Sequence, residues 1–308
     1  MIIIIGSNQE THSKYIYNLL KSKGVNAAYL DTRNIPNDFI SSWHTTEDMV
    51  TGTIRLDNKN IDLQDIKSVY WRWHYGINIL PKSSSEQDRF LAGMIKREFN
   101  CYIDSLFESL DCLWVNSARA INMHKTKAYQ LHIMAKNGIR VPKTLITNDK
   151  DELKSFIETY NGELIFKPVR GGAHTEKFDE KCFSRDRLEH LKYSPVTFQE
   201  KAEGVDLRVY GIGNKLFSAE IRTKEVDFRN DPKAELVPIE IPDVIRNDCL
   251  KIMKLFGLNF TAIDIKYNPE TGEYIFIEAN PSPMFIHFEK KTEYPISDCL
   301  TEMLIKGK

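Results

Sequence analysis

The stretch that decides the fold is TAIDIKYNPETGEYIFIEANPSPM, Thr261–Met284. Ala262 to Tyr267 is apolar and β-prone, with Asp264 set into it, and Asn268 to Gly272 is a run of turn formers. Tyr274 to Ile277 reads as the return strand, which ends in Glu278, Ala279, Asn280 and Pro281. Folding the hairpin brings Asp264 opposite Glu278 to within a residue of register. Glu278 and Asn280 are two apart, so they point to one sheet face. Two carboxylates and an amide oxygen thus converge at a strand end. Hard oxygen ligands of this kind suit Mg²⁺, which keeps several waters and shares its shell with phosphates. Asp264 alone reads as a polar residue at a hairpin mouth. The trio, followed by Pro281-Ser282-Pro283 where the strand must stop, reads as a metal set.

The rest of the chain sets the bounds. At 308 residues it has room for two or three α/β subdomains with sizeable cores. Its 42 Lys plus Arg and 43 Asp plus Glu leave a net charge of −1, which argues against bulk attraction to nucleic acid or membrane. Five cysteines, none in a C-x-x-C pair, fit a reducing compartment better than disulfides or zinc. MIIIIG at the start is too short for a signal peptide core or a membrane span and reads as a buried strand. The expected location is the cytoplasm.

Upstream of the hairpin the chain alternates strands and helices. Ile2–Ile5, a helix over 12–23 ended by Gly24, and a strand over 25–30 make a βαβ start that lacks G-x-G-x-x-G. Residues 51–56 and 60–63 read as a small hairpin, and Ser68–Tyr75 (SVYWRWHY) as an aromatic strand. In that strand Arg72 and His74 alternate with Trp71, Trp73 and Tyr75, which fits either a packed central strand or the wall of a substrate groove. Residues 85–110 form a long helix, with a boundary near 115–117. Beyond it come a helix over 122–137 with Lys127 near its start, an extended 139–146, and a helix over 149–160 with Asp149 and Glu152 as a capping box. Strands follow at 164–169 and 196–201, then a hairpin of 207–212 with 215–222 and a mixed-charge excursion over 223–235. A helix over 244–256, the metal hairpin and a closing helix over 297–304 complete the pattern.

The polar residues on this layout describe a polyanion site. Lys167 sits in an otherwise apolar strand, where an unpaired ammonium is costly and calls for an anion, although a snorkelling lysine is the common alternative. Gly171 and Gly172 follow, so the loop backbone can bend over phosphates. Gln199, Glu200 and Lys201 end the next strand and Ala202 continues it, where a carboxylate suits ribose hydroxyls and backbone groups suit the adenine edge. Gly204-x-Asp206-x-Arg208 comes next, and Arg208 with Arg222 is expected to hold a transferred phosphoryl group. Together these residues make an ATP-plus-Mg²⁺ site without a Walker A sequence.

This order resembles the ATP-grasp superfamily over residues 115–308. Lys127 and Lys167 in LIFKPV match its two nucleotide lysines, TFQEKAEGVDLRVY its hinge strand and G-x-D-x-R segment, and AIDIKY…FIEANPSP its metal hairpin. IRTKEVDFRND is similar to the substrate-side segment of the RimK-like branch, and SVYWRWHYGINILP resembles the aromatic-arginine strand of the microviridin-type ligases that make graspetides. The resemblance implies an α/β (α+β) ATP-grasp fold. Its parts would be an N-terminal pre-ATP-grasp domain (1–116), a central subdomain (117–197) and a C-terminal subdomain (198–308), with ATP between the last two. It implies metal ligation by Asp264, Glu278 and Asn280, nucleotide binding by Lys127, Lys167, Gly171, Gly172, Gln199, Glu200, Lys201, Ala202 and Asp206, and catalysis by Arg208, Arg222 and Lys167. Arg72, His74, Asp227 and Arg229 are expected to meet the substrate. The implied reaction activates an Asp or Glu side chain of a ribosomal precursor peptide as an acyl phosphate. A Ser or Thr hydroxyl, or a Lys amine, then attacks it. The alternative is a RimK-like ligase joining an amino acid or amine to a protein or small-molecule carboxylate. The resemblance leaves the oligomeric state open between monomer and homodimer.

Overall fold

The computed structural model describes the chain except residues 38, 46–49, 57–58, 73–78, 124, 171–174, 180–184 and 224–233 and the side chains at 185–187. The described residues form two compact units. The first comprises 1–119, 257–260 and 284–308, and the second 120–256 and 261–283. Residues 284–308, which sequence grouped with the C-terminal part, thus cluster with the amino-terminal unit.

The first unit is built on a four-stranded parallel sheet in the order Ala27–Asp31, Ile2–Gly6, Ser68–Trp71, Leu113–Val115. Ile2 to Ile5 are all buried, as a central parallel strand covered on both faces requires. The helix Thr11–Ser22 is started by the Glu10 side chain, which accepts from the Ser13 N–H. Trp71 packs its ring against Phe107 and Trp114 at 5.4 and 5.8 Å, so this tryptophan of the aromatic strand is core. Asn116 is buried at the end of the fourth strand. Its Oδ1 accepts from the Asn259 and Phe260 N–H groups, and its Nδ2 donates to the Phe260 carbonyl. A separate antiparallel sheet of Ile40–Thr45, Val50–Leu56 and Lys59–Asp62 contains the expected hairpin plus one strand that sequence missed.

The second unit holds two antiparallel sheets. One runs Glu176–Lys177, Leu164–Pro168, Val196–Glu200, Thr144–Thr147. The other runs Glu235–Pro238, Lys215–Arg222, Val205–Ile212, Phe260–Asn268, Glu273–Asn280. The first is backed by the helix Lys150–Thr159, with Leu153 and Phe198 fully buried between them. The second carries the helix Asp243–Phe256, whose Cys249 and Ile252 are inaccessible. Gly204 enters this sheet at φ +118°, and a Cβ there would stand 2.1 Å from the Tyr267 carbonyl oxygen, so only glycine lets the two backbones approach.

Three local expectations change. The helix expected over 122–137 is two helices, Ala118–Met123 and Lys127–Lys136, because the Lys125 and Thr126 N–H groups turn back onto the Asn122 and Met123 carbonyls. Asp149 caps Lys150–Thr159 through the Asp151 N–H rather than through the box with Glu152. A further helix, Ile286–Thr292, precedes the closing helix Ile296–Lys306.

Candidate active site

The hairpin register sets Asp264 directly opposite Glu278. The register then shifts, with Ile265 opposite Phe276, so Ile277 is an extra residue in the returning strand. A bulge of this kind re-aims the side chains beyond it. Glu278 and Asn280 lie on that re-aimed segment.

Cations from three other elements meet these carboxylates. Lys127, the first residue of its helix, forms an ion pair with Glu278 across 151 residues of sequence. Arg208, on the strand paired to the Asp264 strand, makes a forked contact with Asp264, Nε to Oδ1 at 2.7 Å and Nη2 to Oδ2 at 2.8 Å. Burial works against the charge of Arg208, yet the facing Asp264 carboxylate, with Tyr210 and Glu278 adding to it, holds its pKa above the ordinary value. Lys167 stands mid-strand opposite Thr197 and feels Glu278, Lys127 and Asp264. Burial, opposed by Glu278 and aided by Lys127, brings Lys167 down to about 8. Asp206 and Lys266 add a neutral pair at 2.9 Å on the same two strands as Arg208 and Asp264. Burial lifts the Asp206 carboxyl above its usual range although Lys266 opposes it.

Three cations thus face two carboxylates, one positive charge in excess among the described residues. A half-buried cluster of that balance suits a polyphosphate, and its oxygen donors suit a hard divalent cation. Among the described residues no three His, Cys, Asp or Glu side chains are placed to hold a metal ion by themselves. The metal set that fits here is the two carboxylates plus the Asn280 amide, whose Oδ1 also accepts from the Ser282 N–H.

Other expected site residues fall elsewhere. Arg222 does not join Arg208. The ladder sets Arg208 opposite Ala219 and Leu207 opposite Glu220, so Arg222 shares the other sheet face with Glu220, to which it pairs at 2.8 Å. Gln199 is buried, and its amide donates to the Thr144 hydroxyl, while the Glu200 carboxylate accepts from the Lys143 N–H. Lys201 pairs with Glu203 and reaches Glu163 at 3.7 Å. Ala202 follows the strand without a regular partner. In the first unit, Arg72 is buried and pairs with Glu10 at 3.3 Å. Gly171, Gly172, His74, Asp227 and Arg229 lie outside the described residues. Sequence reasoning missed Gln130, which is buried and bonds both peptide groups of Ala279. Its three-residue spacing from Lys127 was the available signal.

A RimK-like ATP-grasp domain model matches residues 124–304 of this chain, more than half of it. The chain belongs to the RimK-like ATP-grasp family. It is an ATP-grasp ligase, of a family that uses ATP. It is 26% identical over 210 residues to the alpha-aminoadipate–LysW ligase LysX of Sulfurisphaera tokodaii, covering 64% of this chain and 73% of that protein. It is 27% identical over 214 residues to a probable alpha-L-glutamate ligase of Vibrio atlanticus, covering 65% of this chain and 70% of that one. Among solved structures, the ATP-grasp ligase PsnB complexed with minimal precursor is 30% identical, with a TM-score of 0.82 over 99% of this chain and 98% of that one. The same ligase with minimal precursor, Mg and ADP matches at 29% identity and a TM-score of 0.80. The ATP-grasp fold is thereby established for this chain. No helix among the described residues is long and apolar enough to cross a membrane.

Proposed function

We propose that this ligase is a graspetide-type macrocyclase acting on a ribosomally made precursor peptide. The observation that carries this reading is the degree of the likeness to PsnB. It reaches 30% identity and a TM-score of 0.82 over 99% of the chain, whereas a D-alanyl-alanine synthetase that covers the same share does so at 13% identity and a TM-score of 0.63.

In this reading ATP phosphates lie against Lys127, Lys167 and Arg208, and Mg²⁺ is held by Asp264, Glu278 and Asn280. A bound Mg²⁺ supplies charge neutralisation for in-line phosphoryl transfer. The remaining work belongs to the chain. A peptide carboxylate is a poor electrophile. Holding it in line with the γ-phosphoryl converts it to an acyl phosphate with a good leaving group, and ADP departs. The Ser or Thr hydroxyl, or the Lys amine, then adds to the acyl carbon. Phosphate leaves, the nucleophile loses its proton, and an ester or amide closes the ring. Lys127, Lys167 and Arg208 offset the charge that builds on the phosphoryl oxygens. The backbone at Lys201 and Ala202 is assigned to the adenine edge, and Gly171 and Gly172 to the phosphates.

A second reading has one specific observation in its favour. The LysX likeness suits a ligase that joins an amino acid to a protein carboxylate. One experiment separates the two. The purified protein is incubated with ATP, Mg²⁺ and peptides rich in Thr, Ser, Lys, Asp and Glu, then with free glutamate and an acceptor. Loss of one water per ring from the peptide, with ADP formed, is the expected result. A mass gain on the acceptor with no change in peptides establishes the second reading instead.

A further inference from the structure

Gln130 lies on Lys127–Lys136, one turn after Lys127, and is 2% exposed. Its Nε2 donates to the Ala279 carbonyl at 3.0 Å, and its Oε1 accepts from the Ala279 N–H at 2.9 Å. Both peptide groups of one residue are thus taken by one side chain, across 149 residues of sequence. A primary amide carries one donor face and one acceptor face, which is what an unpaired peptide edge needs. A carboxylate or an ammonium supplies only half of it.

Three observations give this contact a meaning beyond packing. Among the described residues Glu273–Asn280 is the edge strand of its sheet, so its outward peptide groups have no strand there to bind. Ala279 sits between Glu278 and Asn280, the two ligands on this strand. The strand bulges just before them, at the shift between Asp264 and Ile265, so their direction depends on a local kink rather than on a regular ladder. Gln130 grips the one residue that fixes both side chains, from the same helix whose Lys127 pairs with Glu278.

We propose that Gln130 is a positioning residue that sets the aim of Glu278 and Asn280 toward the metal. The inference rests on the metal reading above. Its mechanism is mechanical. With the Ala279 peptide held on both sides, the flanking side chains leave the strand in fixed directions, and the metal pays no cost of ordering them.

The test uses Mn²⁺ as the probe and reads its free concentration by electron paramagnetic resonance, with protein and ADP present. Gln130→Glu keeps shape and one hydrogen bond, Gln130→Leu removes both, and Met134→Ala cuts a fully buried contact on the same helix as a packing control. Gln130→Glu is expected to weaken Mn²⁺–ADP binding by about 10- to 100-fold, the range typical of groups that orient metal ligands. ADP binding in EDTA should be unchanged, and Met134→Ala should lower the melting temperature while leaving Mn²⁺ affinity intact. If Gln130→Leu does not fold, Gln130→Glu decides alone. Wild-type Mn²⁺ affinity in Gln130→Glu overturns the inference and leaves the metal reading standing. A wild-type protein that binds ADP equally with and without Mn²⁺ overturns the metal reading and the inference with it.

Discussion

Arg208 and Asp264 face each other across paired strands with two parallel N–H to oxygen bonds, at 2.7 and 2.8 Å. This fork holds the guanidinium plane edge-on to one predicted metal ligand, so the arginine and the metal compete for, or share, the same carboxylate. Lysine is a point charge and cannot reproduce the fork. Arg208→Lys should therefore retain the fold but lose ADP formation by at least about a hundredfold, the size expected from losing a charge-assisted contact of roughly 3 kcal/mol. Urea unfolding should show a smaller loss, and steady-state ADP release checks the rate. Turnover within threefold of wild type would remove Arg208 from the reaction.

Glu278 pairs with Lys127 and is one of the proposed metal ligands. Glu278→Gln keeps volume and removes one charge. The fold should survive, with a melting temperature near that of the parent, and turnover should nearly vanish. A variant that turns over at saturating Mg²⁺ at a tenth of the parental rate or better would mean that Glu278 does not ligate.

Lys167 has a folded pKa of about 8 against an ordinary 10.5. Between those values the unfolded chain holds a proton that the folded chain has released. The free protein therefore gains stability from this group as pH rises through 8 toward 10.5, and below 8 it bears the cost of the buried ammonium. Bound phosphates favour the ammonium. Nucleotide binding near pH 8 should thus take up protons and weaken as pH rises further. Calorimetry in two buffers of different ionisation heat measures the uptake, and Lys167→Met should abolish it while weakening ATP roughly ten- to a hundredfold. Equal heats in both buffers would show that Lys167 does not meet the nucleotide.

His12 in the first unit is buried, and its Nδ1 accepts the Phe285 N–H at 3.3 Å. Burial, aided by Arg72 and opposed by Glu10, brings its pKa down to about 4 from 6.5. Its contribution is fully present above pH 6.5 and is lost as pH falls toward 4, because the unfolded chain binds the proton first. Melting temperature against pH should fall more steeply in this window for the parent than for His12→Gln. Parallel curves would contradict the assignment.

Much of the fold was readable because its signals are local. β-prone runs around turn formers marked strands at 207–212, 215–222, 262–267 and 274–277, which extend to Val205–Ile212, Lys215–Arg222, Phe260–Asn268 and Glu273–Asn280, and the turns between them left little freedom of pairing. Strands such as Ile40–Thr45 and Glu235–Pro238 were missed because short, exposed or mixed-polarity strands carry no clear period. Trp71 and Arg72 were ambiguous for a related reason. Alternation separates two faces but does not say what covers each, and Trp71 and Arg72 turned out to be covered by Phe107 and Trp114 and by Glu10 respectively.

The sequence by itself brought Asp264 to within one residue of Glu278, because a hairpin's register follows from its own turn; the bulge at Ile277 then decided the partner, since an unbroken ladder would set Asp264 opposite Ile277. It also determined the order Lys127, Lys167, Arg208 and the hairpin, from which the family could be read. That Arg222 lies on the other sheet face from Arg208 follows from the ladder of the short hairpin that joins them. Only the tertiary structure decided that Lys127 reaches Glu278 and that Gln130 grips Ala279. Those contacts depend on how a helix docks on an edge strand, which is set by packing between segments roughly 150 residues apart, where no local propensity reaches.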